Sequence, residues 1–399
     1  MIWNECTLGD VLRVKHGFAF KSVFFEDEGP YVVLTPGNFF EAGGFRSRLG
    51  KDRSYSGEFP EDYLLSEGNV IIAMTEQGPG LLGSSAVVPE DGRYLHNQRI
   101  GLLQEVDHTK VDEKFLYYLF NTRGVRGQIN GSATGTKVRH TAPERIYRVN
   151  VSLPSVNEQK RIVSVLSTYD GLIENNRRRI ALLEEAARLL YREWFIHFRF
   201  PGHAHVKIVD GVPEGWELAP FSQLAEYLNG FAFKPRHLGE HGLPIVKIPE
   251  LKGGTLSKTP RYEGQEVPEK YLLETGDLIF SWSGTLAVDF WVCGQAYLNQ
   301  HLFKVTPTGR SSAAFILIAI RESMPKFMNQ SVGATMKHIR RSALSDVSIA
   351  LPPAHILDDF QSVLDNQYAQ VRALRQHNMR LAEARDLLLP RLMDGRLEI

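Results

Sequence analysis

The chain has 399 residues, 43% of them hydrophobic and 23% charged, with a formal net charge of zero. That length leaves room for two or three domains with real cores, and the neutral balance argues against coating nucleic acid by bulk electrostatics, though not against local basic loops. Cys6 and Cys293, the two cysteines, are too few for a disulfide framework or a structural zinc site, so a reducing cytoplasmic location is expected.

In chain order, the opening Met1-Ile2-Trp3-Asn4-Glu5 lacks a basic region followed by an apolar one, so no export signal is expected. Gly17-Phe18-Ala19-Phe20-Lys21 follows, then Tyr63 to Ile71, where Val70-Ile71-Ile72-Ala73 reads as a strand bounded by turn signals. Gly78, Gly80 and Gly83 match the spacing of a dinucleotide-binding loop, but Ser84 to Pro89 reads as strand where such a site needs a helix. A Gly-rich turn is the better reading. Asn97-Gln98-Arg99 comes next, and then Gly131 to Lys137, which lacks the Gly-Lys-Ser/Thr of a phosphate-binding loop yet suits backbone contact with a DNA phosphate.

After Leu153-Pro154 the pattern changes to a long helix. Ile162, Leu166, Tyr169, Ile173, Asn176, Ile180, Leu183, Ala187, Leu190 and Trp194 follow a strict 4-3-4-3 spacing, the seam of a helix packed lengthwise on another. The helix is expected to end near Phe198, with Pro201 to Gly215 as a connector. His197, His203 and His205 lie in that stretch, but no carboxylate or cysteine completes a metal-ligand set.

The second half repeats the first. Gly230-Phe231-Ala232-Phe233-Lys234 returns intact at an offset of 230 − 17 = 213, and Tyr271 to Ile279 matches Tyr63 to Ile71. Asn299-Gln300 matches Asn97-Gln98, Lys337 matches Lys137, and Leu351-Pro352 matches Leu153-Pro154 at 351 − 153 = 198. Five collinear matches make an internal duplication. The apolar run Ala313 to Ile320 is far below the roughly 20 residues of a membrane span, so no membrane association is expected. Shifting the first seam by 198 gives Phe360, Leu364, Gln367, Val371, Leu374, Asn378, Leu381, Arg385, Leu388 and Leu392. Asn176 and Asn378 either fix helix register or are solvated polar breaks.

Catalytic signatures are missing. Glu158-Gln159-Lys160 opens a helix and has no second metal-ligand partner, and no methyltransferase, helicase or serine-nucleophile motif is present. No catalytic residue, metal site or cofactor is assigned to this chain.

Two domains, each followed by a long helix beginning near Leu-Pro, give a doubled order that resembles the specificity subunit of type I restriction–modification systems. The residues that carry it are Tyr63 to Ile71 with Tyr271 to Ile279, Asn97-Gln98-Arg99 with Asn299-Gln300-His301, and Lys337-His338-Ile339 before Leu351-Pro352-Pro353. The helix start Leu153-Pro154-Ser155-Val156-Asn157-Glu158-Gln159-Lys160-Arg161-Ile162 is the most specific single match. Two departures stand out: Lys137-Val138-Arg139-His140 replaces the adjacent lysine–histidine pair, and Leu357-Asp358-Asp359 stands where Glu-Gln-Lys is expected.

The resemblance implies an α+β fold of two pseudo-repeated mixed α/β target-recognition domains, each followed by a long helix, the two helices packed as an antiparallel coiled coil. The expected layout is a first domain over 1–152, a central helix over 153–200, a linker over 201–217, a second domain over 218–350 and a C-terminal helix over 351–399. The implied function is recognition of a bipartite site in double-stranded DNA, directing two methyltransferase subunits and restriction/translocase subunits. S-adenosylmethionine, ATP and Mg would then belong to those partners. A helix over about 156 to 194 spans on the order of 55–60 Å, enough to address half-sites roughly 34 Å apart.

Base reading needs paired or planar donors and acceptors on loops. Thr75, Gln77, Gln98 and Arg99 are candidates in the first half, and Ser281, Trp282, Ser283, Gln300 and His301 in the second. Lys21, Lys137, Arg139, His140, Lys234, Lys337, His338, Arg340 and Arg341 suit phosphate contact. A two-domain protein-interaction scaffold dimerising through its helices, and an enzyme with an unrecognised site, are the competing readings.

Overall fold

A computed structural model describes residues 3–48, 51–78, 80–255, 258–330 and 338–399. Each half opens with a strand that pairs antiparallel with the strand preceding its long helix. Asn4–Thr7 pairs with Asn150–Leu153, and Glu217–Pro220 with Ser348–Leu351. The main sheet of each half has four antiparallel strands in one shared order: Arg13–His16, Ile100–Gln104, Val70–Ala73, Ser85–Val87 in the first, and Ala225–Asn229, Leu302–Pro307, Leu278–Ser281, Ala287–Phe290 in the second. Val70–Ala73 is buried on both faces, as its unbroken apolar run requires. Each half also has a smaller four-stranded sheet with one parallel pair, Val32 against Tyr94 and Ile245 against Tyr297.

Ser85–Val87 pairs with Val70–Ala73 directly after the Gly-rich turn, so no helix N-terminus follows Gly83 and a dinucleotide loop is absent there. Ala313–Glu322 is a buried helix capped by Ser312, whose hydroxyl accepts the Phe315 N–H. Among the described residues no helix is long and apolar enough to cross a membrane.

The two long helices run over Val156–Tyr191 and Ala354–Met393. The first starts with a capping box: Glu158 accepts from the Ser155 N–H and hydroxyl, and Ser155 accepts from the Glu158 N–H. Its regular turns end at Tyr191, earlier than Phe198, and one wider turn over Arg192–Ile196 follows. Along the seam Ile162, Leu166, Ile173 and Asn176 are buried, and Tyr169, Ile180, Leu183 and Leu190 half-buried. On the C-terminal helix Phe360, Leu364, Val371 and Leu374 are buried, with Asn378, Leu381 and Leu388 half-buried.

The chain forms two compact units, Met1–Gly171 with Leu381–Ile399, and Leu172–Arg380. Each unit therefore contains one mixed α/β domain and a stretch of both long helices. In the first unit Ile162, Val163 and Leu166 share a core with Phe115, Leu153, Leu392 and Met393. In the second, Ala187, Tyr191 and Phe195 share a core with Trp216, Phe315, Phe360, Leu364 and Tyr368. Within each unit the helix segments run antiparallel. Asn176 meets Asn378 while Tyr191 meets Phe360 in one, and Asp170 meets Arg385 in the other.

The helical repeat differs from the one read in the sequence. Gln159 accepts the Asp112 N–H and donates to the Lys110 carbonyl, stapling the helix start to the loop before a short domain helix. Gln361 does the same with the Ser312 N–H and the Arg310 carbonyl. The offset between these glutamines is 361 − 159 = 202, against 198 for the preceding strands. Gln361 stands ten positions after Leu351 (361 − 351 = 10), but Gln159 only six after Leu153 (159 − 153 = 6), so the second helix carries one additional turn at its start. Gln361 thus takes the part of Gln159, and Leu357-Asp358-Asp359 lies in the additional turn rather than in place of Glu-Gln-Lys.

Asn176 and Asn378 are also 202 apart, and they bond to each other: the Asn176 amide donates to the Asn378 carbonyl oxygen at 2.9 Å. The solvated-break alternative is set aside, because Asn176 is buried with this partner. Equivalent positions of two antiparallel helices meeting in one polar pair select one register over slips of a turn. Asn176→Leu alone leaves the half-buried Asn378 side-chain oxygen without its donor and is expected to cost about 1 kcal/mol. The Asn176→Leu/Asn378→Leu double variant is expected to cost less than the sum of the singles, measured by urea denaturation of the full chain. Strictly additive costs would show that the pair does not act as a unit.

Candidate nucleic-acid interface

Three segments distant in sequence converge in each domain, and they do so through matching hydrogen bonds. In the first, the Met74 N–H donates to the Arg99 carbonyl at 3.0 Å and the Thr141 N–H to the Met74 carbonyl at 3.0 Å. In the second, the Trp282 N–H donates to the His301 carbonyl at 3.4 Å and the Ile339 N–H to the Trp282 carbonyl at 3.0 Å. Thr75 pairs with His140, and Ser283 bridges to His338. Trp282 is therefore the counterpart of Met74, Ser283 of Thr75, His301 of Arg99 and His338 of His140. The lysine–histidine difference noted in the sequence reduces to a change in the residues leading up to a shared histidine.

A close backbone crossing supports each junction. The Phe18 N–H donates to the His96 carbonyl and the Gln98 N–H to the Phe18 carbonyl; Phe231 makes the same two bonds with Leu298 and Gln300. The repeated Gly-Phe and Asn-Gln dipeptides are the two sides of this crossing.

The sequence candidates separate by exposure. Gln77, Gln98, Arg99, Lys21, Lys137, His140, Lys234, Arg340 and Arg341 are exposed. Trp282, Gln300, His301, His338 and Arg139 are half-buried. Thr75, Ser281 and Ser283 are buried. Ser281 is a strand residue whose hydroxyl donates to the Ser283 carbonyl at 3.1 Å, so it closes the strand end and presents nothing to a base. Thr75 lies 3.2 Å from the His140 ring nitrogen and helps lock the junction. Lys337 lies outside the described residues.

The two junctions differ chemically. The first presents exposed Gln98 and Arg99 on one segment and exposed Gln77 on another. The second presents an aromatic cluster in which Trp282 stands 5.9 Å from His301, 6.0 Å from Phe303 and 6.4 Å from His338, with its indole N–H donated to Asn229. Buried polar side-chain atoms without a partner also gather there, the Gln300 Oε1 and the His301 Nδ1. Arg341 is tied to the Tyr227 carbonyl at 3.1 Å, and Arg340 is exposed.

Arg139, expected to contact phosphate, is held inside the first domain. It pairs with Glu76 at 3.2 Å and donates to the Asn130 side chain at 3.0 Å. Glu76 is 2% exposed and was not singled out in the sequence; an acidic residue directly before a Gly-rich turn was the available signal. Under the first junction, burial chiefly holds the His96 imidazole down to about 4, with Lys15 and His16 adding to the shift and the Ile100 carbonyl and Asp62 opposing it. Among the described residues no group of three His, Cys, Asp or Glu side chains is placed to hold a metal ion.

Comparison with known proteins places the chain in a family. The family model described as "Type I restriction modification DNA specificity domain" matches residues 2–185 and 213–376, and the chain belongs to that family. The specificity subunit of the type I restriction enzyme MjaIX from Methanocaldococcus jannaschii is 25% identical over 308 residues, covering 72% of this chain and 70% of the relative. That of HindI from Haemophilus influenzae is 20% identical over 484 residues, covering 99% of both. The crystal structure of a type I restriction–modification system S subunit from M. genitalium superposes with a TM-score of 0.57 at 15% identity, covering 98% of this chain and 96% of the other, and shows the fold. The chain is a sequence-specific DNA-recognition subunit with no catalytic role of its own, and the interaction-scaffold reading is not favoured.

Proposed function

We propose that the first junction reads one half of a split DNA site and the second junction the other half. The observation that carries this is the repeated three-segment junction: one backbone frame displays different side chains in the two domains. A shared frame with different displayed groups suits two half-sites of different sequence. Gln98 and Arg99 are the foremost base readers of the first half, Trp282, Gln300 and His301 of the second. Lys21, Lys137, Lys234, Arg340 and Arg341 serve the phosphates.

Two methyltransferase subunits and restriction/translocase subunits are the partners, in a cytoplasmic complex. S-adenosylmethionine, ATP and Mg act in those partners. The family membership supports this assignment, and the free thiols of Cys6 and Cys293 are compatible with a reducing compartment.

Arg99→Ala or Gln98→Ala, in complex with the methyltransferase, is expected to weaken binding at one half-site by about 1–3 kcal/mol and leave the other unchanged. The probe is a duplex carrying the motif methylated by the wild-type complex, with base changes placed in each half in turn. Equal loss of discrimination in both halves would contradict the assignment.

A further inference from the structure

We infer that Glu76 is a positioning residue that sets base discrimination in the first domain alone. Its carboxylate accepts three successive backbone N–H groups through Oε2: Gly80 at 3.1 Å, Leu81 at 2.9 Å and Leu82 at 2.8 Å. Oε1 takes the Arg139 guanidinium at 3.2 Å. From the opposite side Arg126 donates to the carbonyls of Gly80, Leu82 and Glu41, the last two at 3.0 and 2.9 Å. The Gly80 to Leu82 backbone is thus clamped by a carboxylate on its N–H groups and a guanidinium on the Gly80 and Leu82 carbonyls. Pro79 lies outside the described residues, and no contact of it is used.

A buried carboxylate beside a DNA-reading loop costs desolvation and repels phosphate. Its service is geometric: it ties the Gly80 to Leu82 backbone to the residue that stands between buried Thr75 and exposed Gln77, next to the three-segment junction. It also withholds the charge of Arg139 from the backbone of DNA. The second domain has no carboxylate at the matching position. With Ser283 the counterpart of Thr75, the position after it is Gly284, which carries no side chain.

The inference rests on the DNA-reading function proposed above. Its test uses the Glu76→Gln variant in the full complex with methyltransferase. Glutamine keeps the size and one acceptor oxygen but turns a donor toward Arg139. The methylated motif of the variant is expected to lose definition at one or two positions of a single half-site, with roughly tenfold weaker discrimination there. Release of Arg139 adds about one phosphate contact, so the dependence of binding on salt is expected to steepen by about one unit on a log–log plot. A role in stability alone would lower the amount of complex and leave both the motif and the salt slope unchanged, which would overturn the inference. Blurring of both half-sites equally would overturn it too. Should Glu76→Gln fail to yield complex, Arg126→Lys removes the clamp on the carbonyls while keeping the Glu76–Arg139 pair, and is expected to blur the same single half-site with an unchanged salt slope; an unchanged motif would overturn the inference. A wild-type complex that methylates no split motif would refute the DNA-reading function itself, a result separate from either.

Discussion

Gly230→Ala is expected to destabilise the second unit by about 3 kcal/mol and to abolish reading of its half-site. A Cβ at Gly230 would stand 2.2 Å from the Asn299 carbonyl oxygen and 2.7 Å from that of Leu298. Both are backbone atoms, so no side-chain rotation relieves the overlap. The crossing must open, and with it the bonds from the Phe231 N–H to Leu298 and from the Gln300 N–H to Phe231. Gln300 and His301 then lose their position against Trp282. Gly17 is in the same situation, 2.0 Å from the Asn97 carbonyl oxygen and 2.7 Å from that of His96. Gly17→Ala is therefore expected to affect the other half-site. Urea denaturation and methylation mapping of each variant give the two readouts. An alanine variant with wild-type stability and an intact motif would show that the crossing does not constrain the junction.

The second large effect is acid sensitivity confined to the first unit. His96 is buried without exposure, its Nε2 lying 2.8 Å from the Ile100 carbonyl oxygen while its Nδ1 has no partner. Its folded value of about 4 lies below the ordinary value of 6.5, so folding favours the neutral ring. The stability this supplies is complete above about pH 6.5 and is lost as pH falls through 4, by which point on the order of 3 kcal/mol has gone. In the repeat the same place is Leu298, which does not titrate. His96→Leu is expected to flatten the loss between pH 6.5 and 4, read by denaturation at a series of pH values. An equal acid loss in wild type and His96→Leu would place the sensitivity elsewhere.

Much of the architecture was legible because the repeated residues answer to local demands. Gly17 and Gly230 recur since only glycine tolerates the crossing, and the Asn-Gln pairs recur as its other side. The heptad seam was readable because lengthwise packing imposes its own period. The additional helical turn was hidden, because a four-residue shift moves one seam position onto another and leaves the apolar pattern nearly unchanged. It shows only in long-range partners, Gln159 with Asp112 and Gln361 with Ser312.

The candidate site was legible by segment and less so by residue. Gln77, Gln98 and Arg99 emerge exposed on loops, whereas Ser281 looked like a polar loop residue and is a buried strand end. Arg139 looked like a phosphate ligand, yet its charge meets Glu76, and Glu76 was missed because its other partners are backbone N–H groups that leave no mark in composition. Trp282 aligns with Met74 at 282 − 74 = 208, the offset that also carries Tyr63 onto Tyr271, so this pairing was open to sequence reading and went unread; the hydrogen bonds give it its meaning.

The central claim is that this chain specifies a split DNA site through two junctions of common frame. The most direct measurement is to express it with its methyltransferase partner and map methylated bases across the host genome, with and without this chain. A split motif that vanishes when the chain is removed is the predicted result. Methylation that is unchanged by its removal, with both proteins present and soluble, would contradict the account.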